Sequence, residues 1–241
     1  IEELERIVQG VSLIGELTPK TLDKVGGFGE RLSSLIISEY IPLAQWFDSS
    51  KLILTNSDFG KAIVNFKLTN QLIRSAFDSF SGLAIVPGFI SSNETGEYTT
   101  LGRGGSDYTG AILAAAMDVS SLEIWTDVNG FMTADPRVIS KAYTIKTLSY
   151  SEAMELSYFG AKVIYPPTIL PVYQKGIPVR IKNSMDPDAE GTLITKSKLN
   201  GKYLPIKGIS SISIITLITI QGLVMFGFPV ISARLFGSLA R

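Results

Sequence analysis

The run Leu101-Gly102-Arg103-Gly104-Gly105-Ser106-Asp107-Tyr108-Thr109-Gly110 turns a polar, glycine-rich loop into an alanine-rich helix expected over residues 107–117. A β-branched strand is expected before it, at 83–89, and another directly after it, at 122–126. The alternation continues. Residues 151–163 place Ala153, Met154, Leu156 and Phe159 at helical spacing, 177–181 read as a further strand, and 184–191 read as a turn-rich surface excursion. Strand and helix repeating in this way predict an α/β fold with a mostly parallel sheet, in which ligands gather beyond the carboxyl ends of the strands.

Composition narrows the chemistry. At 241 residues and 45% apolar content the chain can bury a full core. Its 22 basic and 22 acidic residues cancel, so it lacks the charge footprint of a nucleic-acid binder or an anionic-membrane binder, and any phosphate recognition has to be local. With no cysteine there are no disulfides or thiolate metal sites, which fits a reducing cytoplasm; with no histidine, imidazole bases, histidine metal ligands and Ser-His-Asp triads are excluded. No secretion signal is expected, because no basic segment leads into an apolar run and a small-residue cleavage site. Residues 208–233 carry no charge, so a membrane span of about 20 residues has to be weighed. Thr216, Thr219, Gln221, Gly222, Gly227 and Pro229 interrupt that stretch, and it reads better as two buried strands around a glycine turn, with a short helix at 232–241. The boundary between this region and the rest falls near 200–205.

Four segments can carry chemistry. In the 101–110 loop, amides freed by glycine and the positive end of a helix suit an anion, and Arg103 adds a two-pronged donor for a carboxylate or phosphate. Helix capping by Ser106 or Asp107 explains the same residues equally well, and neither standard phosphate fingerprint is present. Thr126-Asp127-Val128-Asn129-Gly130-Phe131-Met132-Thr133-Ala134-Asp135-Pro136-Arg137 leaves a strand and reaches an Asp-Pro-Arg corner. It either sets an acid and a guanidinium beside one ligand or pairs Asp135 with Arg137 across a surface turn. Tyr158-Phe159-Gly160-Ala161-Lys162-Val163 ends a helix and exposes one cation. Gly29-Glu30-Arg31-Leu32-Ser33-Ser34 reads alone as a helix start. Asp58-Phe59-Gly60 spells a protein-kinase magnesium motif, but a chain without histidine cannot supply the matching His-Arg-Asp loop, so a plain loop beside Asn56 and Ser57 is expected.

In this order and combination the four segments resemble aspartate kinase, both the monofunctional enzymes and the kinase half of the aspartate kinase/homoserine dehydrogenase fusions. The resemblance covers essentially the whole chain. It implies the amino-acid-kinase (carbamate-kinase-like) fold, an eight-stranded, mainly parallel sheet between helical layers, over 1–203, and the start of an ACT regulatory domain over 204–241. It also implies ATP-dependent phosphorylation of the aspartate side-chain carboxylate to 4-phospho-L-aspartate, with magnesium, on the way to lysine, threonine and methionine. By position, Glu30 matches the acid that contacts the substrate amino group and Arg103 the arginine that binds a substrate carboxylate. Gly104, Gly105 and Ser106 match the loop around the same ligand, Phe89 a pocket aromatic, and Asp107 the aspartate that orients the reacting groups. Thr126 and Asp127 match the adenosine-binding pair, Met132 the position of a nucleotide-site aromatic, Arg137 a phosphate-binding arginine, and Lys162 with Val163 the lysine position that meets ATP. A homodimer or larger homo-oligomer and feedback by lysine or threonine are implied, with neither nucleic acid nor membrane as partner.

Departures from the pattern are as definite as the matches. Family members carry a Lys-Phe-Gly-Gly-Thr-Ser strand with a catalytic lysine, for which this sequence has no counterpart. The usual histidine after Gly-Ala-Lys-Val is Tyr165, and residues 39–45 look short. Two rivals remain: an amino-acid kinase for glutamate, acetylglutamate or a nucleotide monophosphate, and a catalytically inactive amino-acid sensor on the same fold.

Overall fold

The computed structural model describes residues 1–161, 163–196, 206–212 and 228–239. They fall into two units, Ile1–Ser211 and Ile212–Arg241. In chain order the first holds α1 (Glu2–Ile14), α2 (Pro19–Tyr40), β1 (Ala44–Trp46), β2 (Leu54–Thr55), α3 (Phe66–Phe77), β3 (Leu83–Ile85), β4 (Ile90–Asn93), β5 (Tyr98–Thr100), α4 (Gly105–Ala116), β6 (Leu122–Thr126), β7 (Thr147–Ser149), α5 (Tyr150–Tyr158), α6 (Leu170–Lys175), β8 (Val179–Asn183) and β9 (Thr192–Thr195). The second holds α7 (Phe228–Leu239).

The sheet is mostly parallel, as expected, but the described strands form three ladders instead of one eight-stranded sheet. β1 pairs with β3 in parallel; β2 pairs with β4 in parallel and β5 joins β4 antiparallel; the third ladder runs β6-β8-β9-β7, antiparallel only between β8 and β9. One apolar core forms around the β6–β9 ladder and a second around Leu52, Ile53 and Ile73. Helix α4 serves both, giving Ala111 and Ala114 to the first and Ile112 and Ala116 to the second. A helix covered on two sides needs small residues and has no wide polar face, which accounts for its alanine content.

Helix α2 corrects one expectation. It starts where Thr18 Oγ1 accepts the Thr21 N–H at 3.2 Å and Pro19 fills the first turn, then passes unbroken through Gly26, Gly27 and Gly29. Gly29–Ser34 is therefore mid-helix. Packing of the Asp23, Gly27, Phe28, Ser34 and Ser38 side outweighs interior glycines that cost about 0.5–1 kcal/mol each against alanine.

Other boundaries move for local reasons. The strand expected at 83–89 stops at Ile85, because Pro87 has no N–H for a ladder and Phe89 takes a left-handed φ of 70°. The 151–163 helix ends at Tyr158, two residues before Gly160 at φ 122°. The strand expected from Ile177 begins after Pro178, at Val179. Helix α4 starts two residues early, with Gly104 as its N-cap and no side-chain cap, so neither Ser106 nor Asp107 is spent on capping. The Asp58 loop is an ordinary turn in which Asn56 Nδ2 donates to Asp58 Oδ2 at 2.7 Å. In the second unit α7 begins at Phe228 and takes in residues expected to be strand; Pro229 suits a first helical turn and cannot join a ladder. The rest of the two expected apolar strands lies outside the described residues. No helix among the described residues is long and apolar enough to cross a membrane.

Candidate active site

Three segments meet at Phe89. Its N–H donates to Thr109 Oγ1 of α4 at 3.0 Å, its carbonyl accepts the Leu101 N–H at 2.9 Å, and its ring edge lies 3.9 Å from where a Cβ on Gly26 of α2 would be. A non-glycine residue held at φ 70° costs about 1–3 kcal/mol, so the surrounding contacts over-determine it. The glycines of the Arg103 loop are sterically required there. A Cβ on Gly105 would sit 2.6 Å from Phe89 Cδ2, and one on Gly104, itself at φ 69°, would sit 2.8 Å from Thr168 Cγ2 and 3.0 Å from Tyr165 Cβ. Opposite, a Cβ on Gly88 would lie 2.8 Å from Ser106 Cα. The loop is clamped between residues 88–89 and the 165–168 turn.

Around that clamp lie most of the residues expected on the substrate side. Glu30 is partly buried on α2, one turn past Gly26; Arg103 and Ser106 are exposed; Asp107 is in the first turn of α4, partly buried. Burial raises the Asp107 carboxyl above its usual value. The Arg103 guanidinium stands 5.6 Å from the centre of the Tyr165 ring, a cation–π contact that orients it. Arg31, the neighbour of Glu30, turns instead to the Tyr98 ring of β5 at 5.0 Å.

A cavity of about 350 Å³ opens past the end of β6. Its walls come from Val128–Arg137, from the end of α5 and the turn after it (Leu156, Gly160, Ala161, Val163), and from Ile209, Ser210 and Ser211. Of the residues expected to meet a nucleotide, Met132, Arg137 and Val163 line it. Thr126 and Asp127 lie beside it without forming its wall: Thr126 Oγ1 donates to Asp127 Oδ1 at 3.2 Å, and the Thr126 carbonyl accepts the Ser184 N–H at 2.8 Å. Lys162 is outside the described residues. Asp135 and Arg137 do pair, with Nη2–Oδ2 at 2.7 Å and Nε–Oδ1 at 3.0 Å, and this two-pronged contact holds the Asp135 carboxyl down at about 2. The Asp135–Arg137 pairing expected across the turn is present, and the pair sits on the cavity rim with Arg137 84% exposed.

The turn at 160–165 joins the two places: Gly160, Ala161 and Val163 line the cavity, and Tyr165 carries Arg103. Among the described residues no three His, Cys, Asp or Glu side chains gather into a metal-holding group. Sequence reading missed Asp23, Thr100, Gly88 and the 209–211 wall; the signal for Asp23 was its place two turns before Glu30 on one helix face.

Residues 3–183 match the model of the amino acid kinase family, and the chain belongs to that family. Within it the similarity is to aspartokinases. The chain is 38% identical to the lysine-sensitive aspartokinase 3 of Escherichia coli (strain K12), over 100% of its own length and 56% of that protein's. It is 33% identical to a bifunctional aspartokinase/homoserine dehydrogenase of Haemophilus influenzae, over 99% of its length and 30% of that protein's. The crystal structure of E. coli aspartokinase III in complex with aspartate and ADP superposes with a TM-score of 0.72 at 39% identity, covering 83% of this chain and 47% of that one. The chain thus spans about half the length of the E. coli protein it matches, and less of the bifunctional one.

Proposed function

We propose that this chain forms the main catalytic part of an aspartate kinase, which transfers the γ-phosphoryl group of ATP to the side-chain carboxylate of aspartate. The observation that carries this reading is the turn at 160–165, which lines the cavity with one end and supports Arg103 with the other. A nucleotide seated in the cavity directs its phosphates along that turn, toward a loop built for an anion. Phosphoryl transfer needs positioning and positive charge more than covalent help. Glu30 and Arg103 hold aspartate by its two charged ends, with Phe89, Gly104, Gly105 and Ser106 shaping the space around it. Thr126, Asp127, Met132 and Val163 bind the nucleoside, and Arg137 and Lys162 bind its phosphates. Magnesium, when bound with the nucleotide, neutralises phosphate charge. Asp107 orients the reacting groups; a carboxylate nucleophile needs no base, and burial already disfavours the charged form of Asp107.

The similar E. coli enzyme is described in complex with aspartate and ADP, and that pair of ligands supports the same two roles here. We assign residues from 204 onward to the start of an ACT domain that binds a feedback amino acid in a homo-oligomer, lysine being favoured because that relative is named lysine-sensitive. The deciding experiment measures ADP release by the full-length protein with aspartate, glutamate, acetylglutamate or UMP as acceptor. Turnover specific to aspartate is expected. Turnover with another acceptor alone rejects the assignment, and aspartate binding without ADP release makes the protein a sensor.

A further inference from the structure

Asp23 is a carboxylate with no part in the chemistry above, yet it is 4% exposed. It lies on α2 seven residues before Glu30, on the same face of the helix. Its Oδ2 accepts the Gly60 N–H at 2.8 Å and the Thr100 N–H at 3.3 Å, and its Oδ1 accepts the Thr100 hydroxyl at 2.7 Å. Thr100 closes β5, three residues before Arg103. The Gly60 carbonyl lies 3.9 Å from where a Cβ on Gly102 would be, so the second donor also flanks the Arg103 loop. A buried carboxylate is expensive unless donors surround it, and here they come from the strand that leads to Arg103 and from the Gly60 turn that flanks the Arg103 loop.

We propose that Asp23 is a positioning residue for the aspartate site, fixing the helix that carries Glu30 to the strand end that carries Arg103 and so setting the separation of the two groups. The inference rests on the assignment of Glu30 and Arg103 to aspartate binding. Asp23, Gly60 and Thr100 are not among the residues that line the cavity.

The test uses the full-length protein and two readouts, steady-state kinetics and calorimetric titration with aspartate. Asp23→Asn removes the charge that strengthens the bonds from the Gly60 and Thr100 N–H groups and puts an amide N–H where the Thr100 hydroxyl now donates. It is expected to raise both the KM and the Kd for aspartate at least tenfold while the KM for ATP stays within twofold. Thr100→Val removes only the 2.7 Å bond from a β-favouring position and should raise the aspartate KM about threefold; Thr100→Ser, which keeps the hydroxyl, should restore it. The double variant Asp23→Asn/Thr100→Val should be no worse than Asp23→Asn, because both break one contact. A folded Thr100→Val protein with wild-type aspartate affinity overturns the proposal, even where Asp23→Asn fails to fold. Equal rises in the KM values for aspartate and ATP also overturn it, since they mark general loosening. A wild type that neither binds nor phosphorylates aspartate rejects the functional reading beneath it, an outcome separate from both.

Discussion

The two ends of the candidate site are built from different materials. Around Phe89 and the Arg103 loop, positions are set by backbone collisions and buried hydrogen bonds. Gly104 and Gly105 have no room for a Cβ, and Asp23, Thr100 and Thr109 are all 4% exposed or less. Around the cavity, Gly130 and Gly160 are packed as tightly, but the Asp-Pro-Arg corner is held by the exposed Asp135–Arg137 pair, and one wall comes from the segment at 209–211. Close packing has few alternative arrangements, whereas exposed pairs are individually weak and screened by salt. The end proposed for the amino acid is therefore preorganised, and the end proposed for the nucleotide includes an exposed corner that can shift. A small zwitterion offers few contacts and needs its donors fixed in advance; a nucleotide offers many and tolerates a softer wall.

Removing Arg103 should expose that contrast most strongly. Arg103→Ala deletes the exposed guanidinium above Tyr165 without disturbing the glycines beside it. The aspartate KM is expected to rise about 100-fold, equivalent to about 3 kcal/mol of lost binding, with the ATP KM nearly unchanged. Steady-state kinetics with each substrate varied in turn check this. A matching rise for ATP would erase the distinction between the two ends.

Asp107 should give a smaller and two-sided effect. Asp107→Asn is expected to lower kcat about tenfold while raising the melting temperature at neutral pH. Burial lifts its folded-state pKa above the ordinary 3.8, so the folded protein favours the protonated form. Its contribution to stability is fully present below pH 3.8 and is lost as pH rises through the raised folded value. Wild type and Asp107→Asn should therefore melt alike in acid and diverge above that window, the variant being the more stable. Calorimetric melts across the acid-to-neutral range decide it. A wild type more stable than Asp107→Asn at neutral pH would mean that Asp107 is stabilised by partners instead of strained by burial.

How much of this was legible in the sequence follows the same division. The Arg103 loop, the 122–126 strand, the α/β alternation and the surface turn at 184–191 could be read because glycine clusters and β-branched runs act locally. Glu30 could be picked only by resemblance. The glycines around it spell a helix break, and α2 continues because its buried side is held by residues far along the chain, Thr100 and Ile90 among them. The left-handed turn at Phe89 was hidden for the same reason, since it exists to bring a ring against Gly105. Tyr165 was visible as a departure from the usual histidine, but its contact with Arg103 is a tertiary fact. The cavity wall at 209–211 leaves no local signal, being backbone laid against Gly160 and Thr133.

That wall supplies the gentlest test. Lys207 Nζ meets Glu152 Oε2 at 2.8 Å, the Ile209 N–H donates to the Thr133 carbonyl at 2.9 Å, and the Ser211 carbonyl fills the space where Gly160 lacks a side chain. Glu152 also accepts the Ser149 N–H at 2.7 Å and so completes the cap of α5. Burial pushes the Glu152 carboxyl up, but Lys207 and the Ser149 groups together hold it below 4.5. Lys207→Ala removes the tether and leaves the cap. With both side chains about one-third exposed, the pair contributes about 0.5–1 kcal/mol, so the ATP KM should rise about two- to fivefold and the aspartate KM should not move. The wild-type advantage should shrink in high salt, and also as pH falls below 4.5 and protonates Glu152, because a depressed acid stabilises only while ionised. An aspartate KM that rose with the ATP KM would show that the two ends share one rigidity, and that the soft wall at 207–211 is part of the clamp around Phe89.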